Sequence, residues 1–409
     1  MLYLQNRAIV IMKWISTADI RQWANLRNCQ ECLPELTRRL IRAALSDIKK
    51  AKFPSGENVQ LGGWDGILEV DKGNEFIPDG ISVWEFGTSS DPRTKAEEDY
   101  SKRSKDPLSI NPQNTTFVFV TPRIWTKSDE WIAEKTKEGI WKDVRVITAE
   151  NLEEWLETAP TVGFWLATTQ LHTYPSKDIE STDLFWDLWS RNGEHSIQPS
   201  LLLGGRQNEV KKLIEKTLEE GWLGIKSLSQ EESLAFIVAA FKTNNEYAED
   251  FFSRSIIINT PDAFRDLMIH SSPLILIPRF LDIGLFNYAA SQGHKVIVPL
   301  GVEHQNISGF IIDLNEIDRD EFVKSLKESG YKHAEQLSRE SVRNITVLRR
   351  QLGFVGTSPK WAGKDSVRII IPAIITGKWN DSYEGDKEVV SKIANAPYDD
   401  YISNVTPWI

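Results

Sequence analysis

The 409-residue sequence predicts an α/β protein with two sheet-bearing domains followed by a helical region. Three observations carry this expectation. Up to about residue 170 the apolar pattern switches between the helical and the strand period in the order α-β-β-α-β-α-β, which reads as a mixed sheet. From Trp222 to Leu314 short β-branched runs alternate with amphipathic segments, as in a parallel, doubly wound sheet. From about Asp318 the pattern is mostly helical.

Leu33 to Ala51 opens the first domain, with Leu36, Leu40, Ile41 and Leu45 at helical spacing and Pro34 in a plausible first turn. Strand-like runs follow in VQLGGWDGILEV, ISVWEFG, TTFVFVTP and DVRVIT, with helices expected over Pro92–Lys105 and Ser128–Glu138. The amphipathic NLEEWLETAPTVGFWLATT closes this domain, set at 12–170. LHTYPSKDIESTD mixes Pro, Ser, Thr and Asp without periodicity, so 171–198 reads as a linker. Strands WLGIKS, SRSIIINT, PLILIPRF, KVIVPL and GFIIDL then make up a domain over 199–317, and 318–409 is the helical region.

With 41% hydrophobic and 26% charged residues the chain has the composition of a soluble globular protein. Apolar runs such as Pro273–Pro278 fall well short of the roughly 20 residues that span a bilayer, so no membrane partner is expected. MLYLQNRAIVIMKW carries no small-residue cleavage site, which predicts no signal peptide, and Met12 is an alternative natural start. Two cysteines, Cys29 and Cys32, fit a cytoplasmic protein; no second ligand pair completes a zinc site around them, and the six histidines show no ligand spacing. A net charge of −10 excludes a protein that coats nucleic acid through a wholly basic surface, but Lys95, Lys102, Arg103 and Lys105 form a local basic run.

Magnesium-assisted phosphodiester hydrolysis needs carboxylates to hold the ion and a lysine beside the attacking water. Asp65 lies in GGWDG, whose glycines permit close approach, and Glu85 ends the buried run ISVWE 20 residues on. A hairpin through DKGNEFIPDG brings both carboxylates to one place, with Asp79-Gly80 as turn chemistry. Taken alone, the same pair also fits a turn aspartate and a solvated glutamate. Trp64 and Trp84 beside them read as packing.

Over about its first 165 residues, on Leu33–Ala51, GWDGILEV, ISVWEFG and TKAEEDYSKR, the chain resembles the PD-(D/E)XK nuclease superfamily, in particular its Mrr-like restriction-endonuclease branch. The resemblance implies a restriction-endonuclease-like fold and DNA cleavage with Mg²⁺ or Mn²⁺. It also implies Asp65 and Glu85 as metal ligands and Glu35 as an accessory carboxylate. The family's lysine two residues after the glutamate is Gly87 here, which moves the catalytic role to Lys95 on the next helix. Lys102 is expected to face the same cleft, and Tyr100 and Arg103 to contact phosphate.

GGRQNEVKKLIEKTLEEGWLGIKSLSQEESLAFIVAAF resembles the opening of a STAND-type P-loop NTPase, PLILIPR its Walker B strand and SVRNITVLRRQLG the helical region that follows. The phosphate-loop position holds Lys226, Ser227, Ser229 and Ser233, without glycine after Lys226 and with Glu231 and Glu232 where phosphate would sit. Pro278 and Arg279 replace the Walker B acid. The resemblance therefore implies a degenerate domain that does not use ATP and acts by regulated assembly into a homo-oligomer. The joint reading is a Mg-dependent endonuclease effector of bacterial antiviral defence, cutting double-stranded phage or plasmid DNA. Two alternatives stay open: a catalytically inactive nuclease fold serving DNA binding or assembly, and an ATP-dependent STAND switch.

Overall fold

The computed structural model describes residues 13–54, 63–192, 195–219, 221–305, 307–341, 345–351 and 364–405. The opening segment before residue 13, the first part of VQLGGWDGILEV with Gly62, and parts of SVRNITVLRRQLG lie outside the described residues. The protein is mixed α/β with parallel and antiparallel pairing. Its contacts divide it into two compact units, one of Met1–Trp189 with Arg206–Asn315, the other of Ser190–Gly205 with Glu316–Ile409.

The first unit begins with α1 (Thr17–Trp23), capped by a Ser16/Asp19 capping box, and α2 (Arg27–Ala44). Helix α2 starts ahead of the expected Leu33, so Pro34 lies inside it and not in its first turn. The apolar stripe explains this: Cys29, Leu33, Leu36 and Leu40 are fully buried on one face, and that packing outweighs the hydrogen bond the proline removes. The helix also stops at Ala44, and Lys50–Lys52 is strand β1 rather than helix. Three residues are too few to show a period, and their flanking lysines suit a sheet edge.

Strands β2 (Gly66–Val70), β3 (Gly80–Phe86), β4 (Thr115–Val120) and β5 (Asp143–Ile147) complete a sheet of order β1-β2-β3-β4-β5. Pairing is antiparallel through β3 and parallel from β3 to β5. Both faces are covered. Leu68, Trp84, Val118 and Val120 meet α2, α5 (Ala149–Glu157) and α6 (Pro160–Trp165), while Val83, Phe117 and Phe119 meet α3 (Pro92–Lys105) and α4 (Ser128–Glu138).

The segment read as a linker contains β6 (Ile179–Glu180), antiparallel to a strand of the second sheet, and α7 (Thr182–Ser190), which buries Phe185, Trp186 and Trp189. Two paired residues carry no periodic signal, which is why the pattern hid them. In the second unit β7 (Arg191–Asn192) pairs with β8 (His195–Ser196), and α8 (Ser200–Leu203) follows.

Back in the first unit come α9 (Gln207–Leu218), β9 (Trp222–Lys226), α10 (Gln230–Lys242), α11 (Ala248–Arg254), β10 (Ser255–Ile258), α12 (Pro261–Met268), β11 (Ile275–Pro278), α13 (Ile283–Ser291), β12 (Lys295–Leu300) and β13 (Phe310–Asp313). Their sheet runs β13-β9-β12-β11-β10-β6, parallel except at β6. The order reverses between β9 and β12, the crevice where such sheets bind ligands. The two sheets share side chains. Phe164 of α6 belongs to the core around Ile256, Ile258 and Phe264, and Thr161 Oγ1 donates to Ser253 O at 2.6 Å. Arg39 of α2 donates to Asp183 through its two Nη atoms at 3.1 and 2.8 Å, donates to Phe252 O at 3.1 Å and lies 4.1 Å over Trp165.

Among the described residues the rest of the second unit carries the helices α14 (Arg319–Glu328), α15 (Ala334–Ser341), α16 (Ile345–Gln351), α17 (Lys364–Thr376), α18 (Glu384–Ala394) and α19 (Tyr398–Val405). Val390, Tyr401 and Val405 form a small core in the last three, with Tyr401 Oη donating to Ile369 O at 2.8 Å.

Candidate active site

The register of β2 on β3 pairs Gly66 with Trp84. Continued by one residue, it sets Asp65 opposite Glu85. Side chains alternate along β3, so Val83 and Glu85 share the face that α3 covers while Ser82 and Trp84 face α2. The Phe86 N–H donates to Asp65 Oδ2 at 3.1 Å and fixes that carboxylate against the strand end. Asp79 serves its turn, its Oδ1 accepting from Gly73 N at 2.6 Å.

Helix α3 supplies the rest of the site. Asp91 caps it by accepting from Thr94 N at 3.1 Å, and Pro92 fits its first turn, so the helix has a defined start and phase. That phase buries Ala96, Asp99, Tyr100 and Arg103. Arg103 donates through Nε to Glu85 and through an Nη to Gly63 O, and its guanidinium lies 4.7 Å over the Trp64 ring. Burial, then the like charge of Asp65, pushes the Glu85 carboxyl up to about 8, against the pull of Arg103 in the other direction.

Lys95 passes close to Gly87. A Cβ built on Gly87 would lie 2.8 Å from Lys95 Cγ and 2.6 Å from Phe119 Cζ, so the stem of Lys95 runs over the glycine. Its ammonium donates to Asp99 Oδ1 at 2.6 Å. Gly87→Ala is therefore expected to cost about 1–3 kcal/mol by overpacking and to push Lys95 aside. Thermal melting together with a lysine-modification map checks this, and parent-like values in both would refute it.

Asp65 and Glu85 thus come together, and Lys95 reaches Asp99, which lies within electrostatic reach of both; other expected residues do not join them. Glu35 bonds Arg39 Nε at 3.1 Å and lines a cavity with Asp183, Lys242 and Glu249, because α2 turns that face toward the second sheet. Tyr100 is 2% exposed, edge-on to Phe117 and Trp131, and burial holds its hydroxyl up to about 12; it is a core residue rather than a phosphate contact. Arg103, 5% exposed, is spent on Glu85 instead of phosphate. Lys102 is exposed on the outer side of α3.

Asp99 was missing from the sequence reading. Burial raises its carboxyl, opposed by the hydrogen bond from Lys95, with Asp65 adding to the rise. Ala96 and Tyr100, apolar and four apart, were the available signal for the inward face that also takes Asp99.

Two carboxylates offer the hard oxygens that Mg²⁺ takes beside its waters. Among the described residues no larger group of His, Cys, Asp and Glu is placed to hold a metal ion. Cys29 and Cys32 are free thiols, both held up by burial, Cys32 to about 11.

Compared with known proteins, the chain matches no family model and no curated protein.

At the end of β9, Ser227, Ser229 and Ser233 bond one another and the backbone. Ser233 Oγ donates to Leu300 O at 2.7 Å and lies 2.9 Å from Ser227 Oγ, which in turn donates to Ser229 O at 2.8 Å. Ser229 caps α10 by accepting from Glu232 N at 3.2 Å. Lys226, half-buried, ends β9. Glu232 is 3% exposed and paired with Arg206 at 2.9 Å, so a carboxylate of the chain occupies the start of α10, where an anion would be favoured.

Proposed function

We propose that this chain is a metal-dependent deoxyribonuclease centred on Asp65, Glu85 and Lys95, held by a second α/β domain that governs assembly. The observation that carries the reading is the stem of Lys95 lying over Gly87 with its ammonium on Asp99, a carboxylate within electrostatic reach of Asp65 and Glu85. Asp65 and Glu85 would hold Mg²⁺ or Mn²⁺; the ion, when bound, supplies positive charge to the phosphate and an activated water. The Phe86 N–H orients Asp65, and Lys95 places positive charge where the phosphate oxygens gain negative charge. The role in antiviral defence, the double-stranded DNA substrate and the homo-oligomer belong to the same proposal and rest on the pairing of the two resemblances. The carboxylate of Glu232 at the start of α10 supports a second domain that works without ATP.

The test is plasmid DNA with Mg²⁺ under conditions that permit assembly: the parent relaxes or linearises it and Lys95→Ala does not. Plasmid left intact by the parent sinks the reading. One observation favours the alternative of a non-catalytic module: Arg103 already satisfies Glu85, as a cation would. The pH dependence of metal binding separates the two. Because Glu85 is held up to about 8, the ion must displace its proton. Apparent Mg²⁺ affinity is expected to rise by up to roughly tenfold per pH unit below that value and to level off above it, with release of up to one proton. Calorimetry in two buffers of different ionisation enthalpy measures this. A non-catalytic module gives no Mg²⁺ uptake at any pH.

A further inference from the structure

The geometry points to Asp99 as the residue that positions the Lys95 ammonium for phosphodiester cleavage, an inference resting on the nuclease reading of this centre. Asp99 lies one helical turn after Lys95, and its Oδ1 accepts from Lys95 Nζ at 2.6 Å. Such Lys/Asp pairs are common on exposed helix faces, where both ends meet water.

This one is different. Asp99 is 6% exposed, and its second oxygen, Oδ2, is buried without a hydrogen-bond partner. It also lies close enough to Asp65 and Glu85 for their charges to act on one another. A buried carboxylate with an open oxygen, within electrostatic reach of two others, is unfavourable for folding. An apolar residue would suit the face shared with Ala96 and Tyr100 better. The placement makes sense through what it does to Lys95.

A lysine on the first turns of a helix ordinarily swings its flexible stem through solvent. Here the stem is confined at both ends, over Gly87 at Cγ and on Asp99 at Nζ. Asp99 touches neither substrate nor ion in this scheme; it is a positioning residue that acts through Lys95.

A double-mutant cycle on the full chain tests this, with parent, Asp99→Ala, Lys95→Ala and the double variant cutting plasmid at saturating Mg²⁺. Asp99→Ala is expected to lower kcat by about 10–100-fold, the usual effect of removing an orienting partner, with little change in KM. In the Lys95→Ala background the same change should cost nothing further. An equal loss in both backgrounds, or parent-like cleavage by Asp99→Ala, overturns the inference.

Reductive methylation of the metal-free protein, read by mass spectrometry, gives a measure independent of activity. Lys95 should react several-fold faster in Asp99→Asn, which preserves shape, while exposed Lys102 reacts as in the parent. Unchanged labelling of Lys95 overturns the inference even if the chain is a nuclease. A parent that never cuts DNA overturns the nuclease reading and this inference together, and the labelling then shows only whether Asp99 holds Lys95.

Discussion

Alanine at Asp65 or at Glu85 is expected to lower Mg²⁺-dependent plasmid cleavage by about three orders of magnitude, the several kcal/mol of transition-state stabilisation a bound ion supplies. Each change removes half of a two-carboxylate set, and among the described residues no group of three or more His, Cys, Asp or Glu is placed to hold the ion instead. The two variants should differ in stability. Asp65 is half-buried and accepts one cross-strand backbone N–H, so its loss should be mild. Glu85 is buried against Arg103, and its truncation strands a guanidinium. Cleavage rates with melting curves on the same preparations separate the effects; an Asp65→Ala chain that cuts at the parent rate refutes the assignment.

Arg103→Met should produce the largest loss of stability. It leaves the Glu85 carboxylate buried without its counter-charge, at a cost of about 3–5 kcal/mol when that group is ionised. The pH dependence has a definite sign. The folded-state pKa of Glu85, about 8, lies above its unfolded value of 4.5, so the folded chain holds the extra proton. That contribution is fully present below 4.5 and is lost as pH rises through about 8. The variant should therefore lie close to the parent at about pH 6, where Glu85 can protonate, and fall well below it at about pH 9. Denaturant melts at the two pH values decide this, and equal losses at both would show that Arg103 acts by packing alone.

How much of this was legible in the sequence depended on length and phase. Strands β2 to β5 and the alternation from β9 to β13 announced themselves because several residues repeat a period. Strands β1 and β6, with three and two residues, could not. The Asp65/Glu85 pairing followed from a short hairpin, since antiparallel register leaves little choice. The residues of α3 were harder. Spacing placed Lys95, Tyr100, Lys102 and Arg103 on one helix, but which side faced the sheet depended on Ala96 and Tyr100. Once that side is known, Asp99 and Arg103 go inward and Lys102 outward. Glu35 was misplaced for a related reason: α2 packs against the first sheet on one side and α11 on the other, and sequence periodicity cannot say which of two partners a charged position meets.

The Arg39 junction and the sharing of Phe164 reach beyond either sheet. A chain cut after residue 170 would keep Phe164 without the Ile256, Ile258 and Phe264 that bury it, and Arg39 without Asp183 or the Phe252 carbonyl. The half that bears the proposed centre is thus not a detachable cartridge. Its durability is borrowed from the neighbouring domain, and a lesion in β10 or α11 can unsettle it by depriving α2 and α6 of their footing.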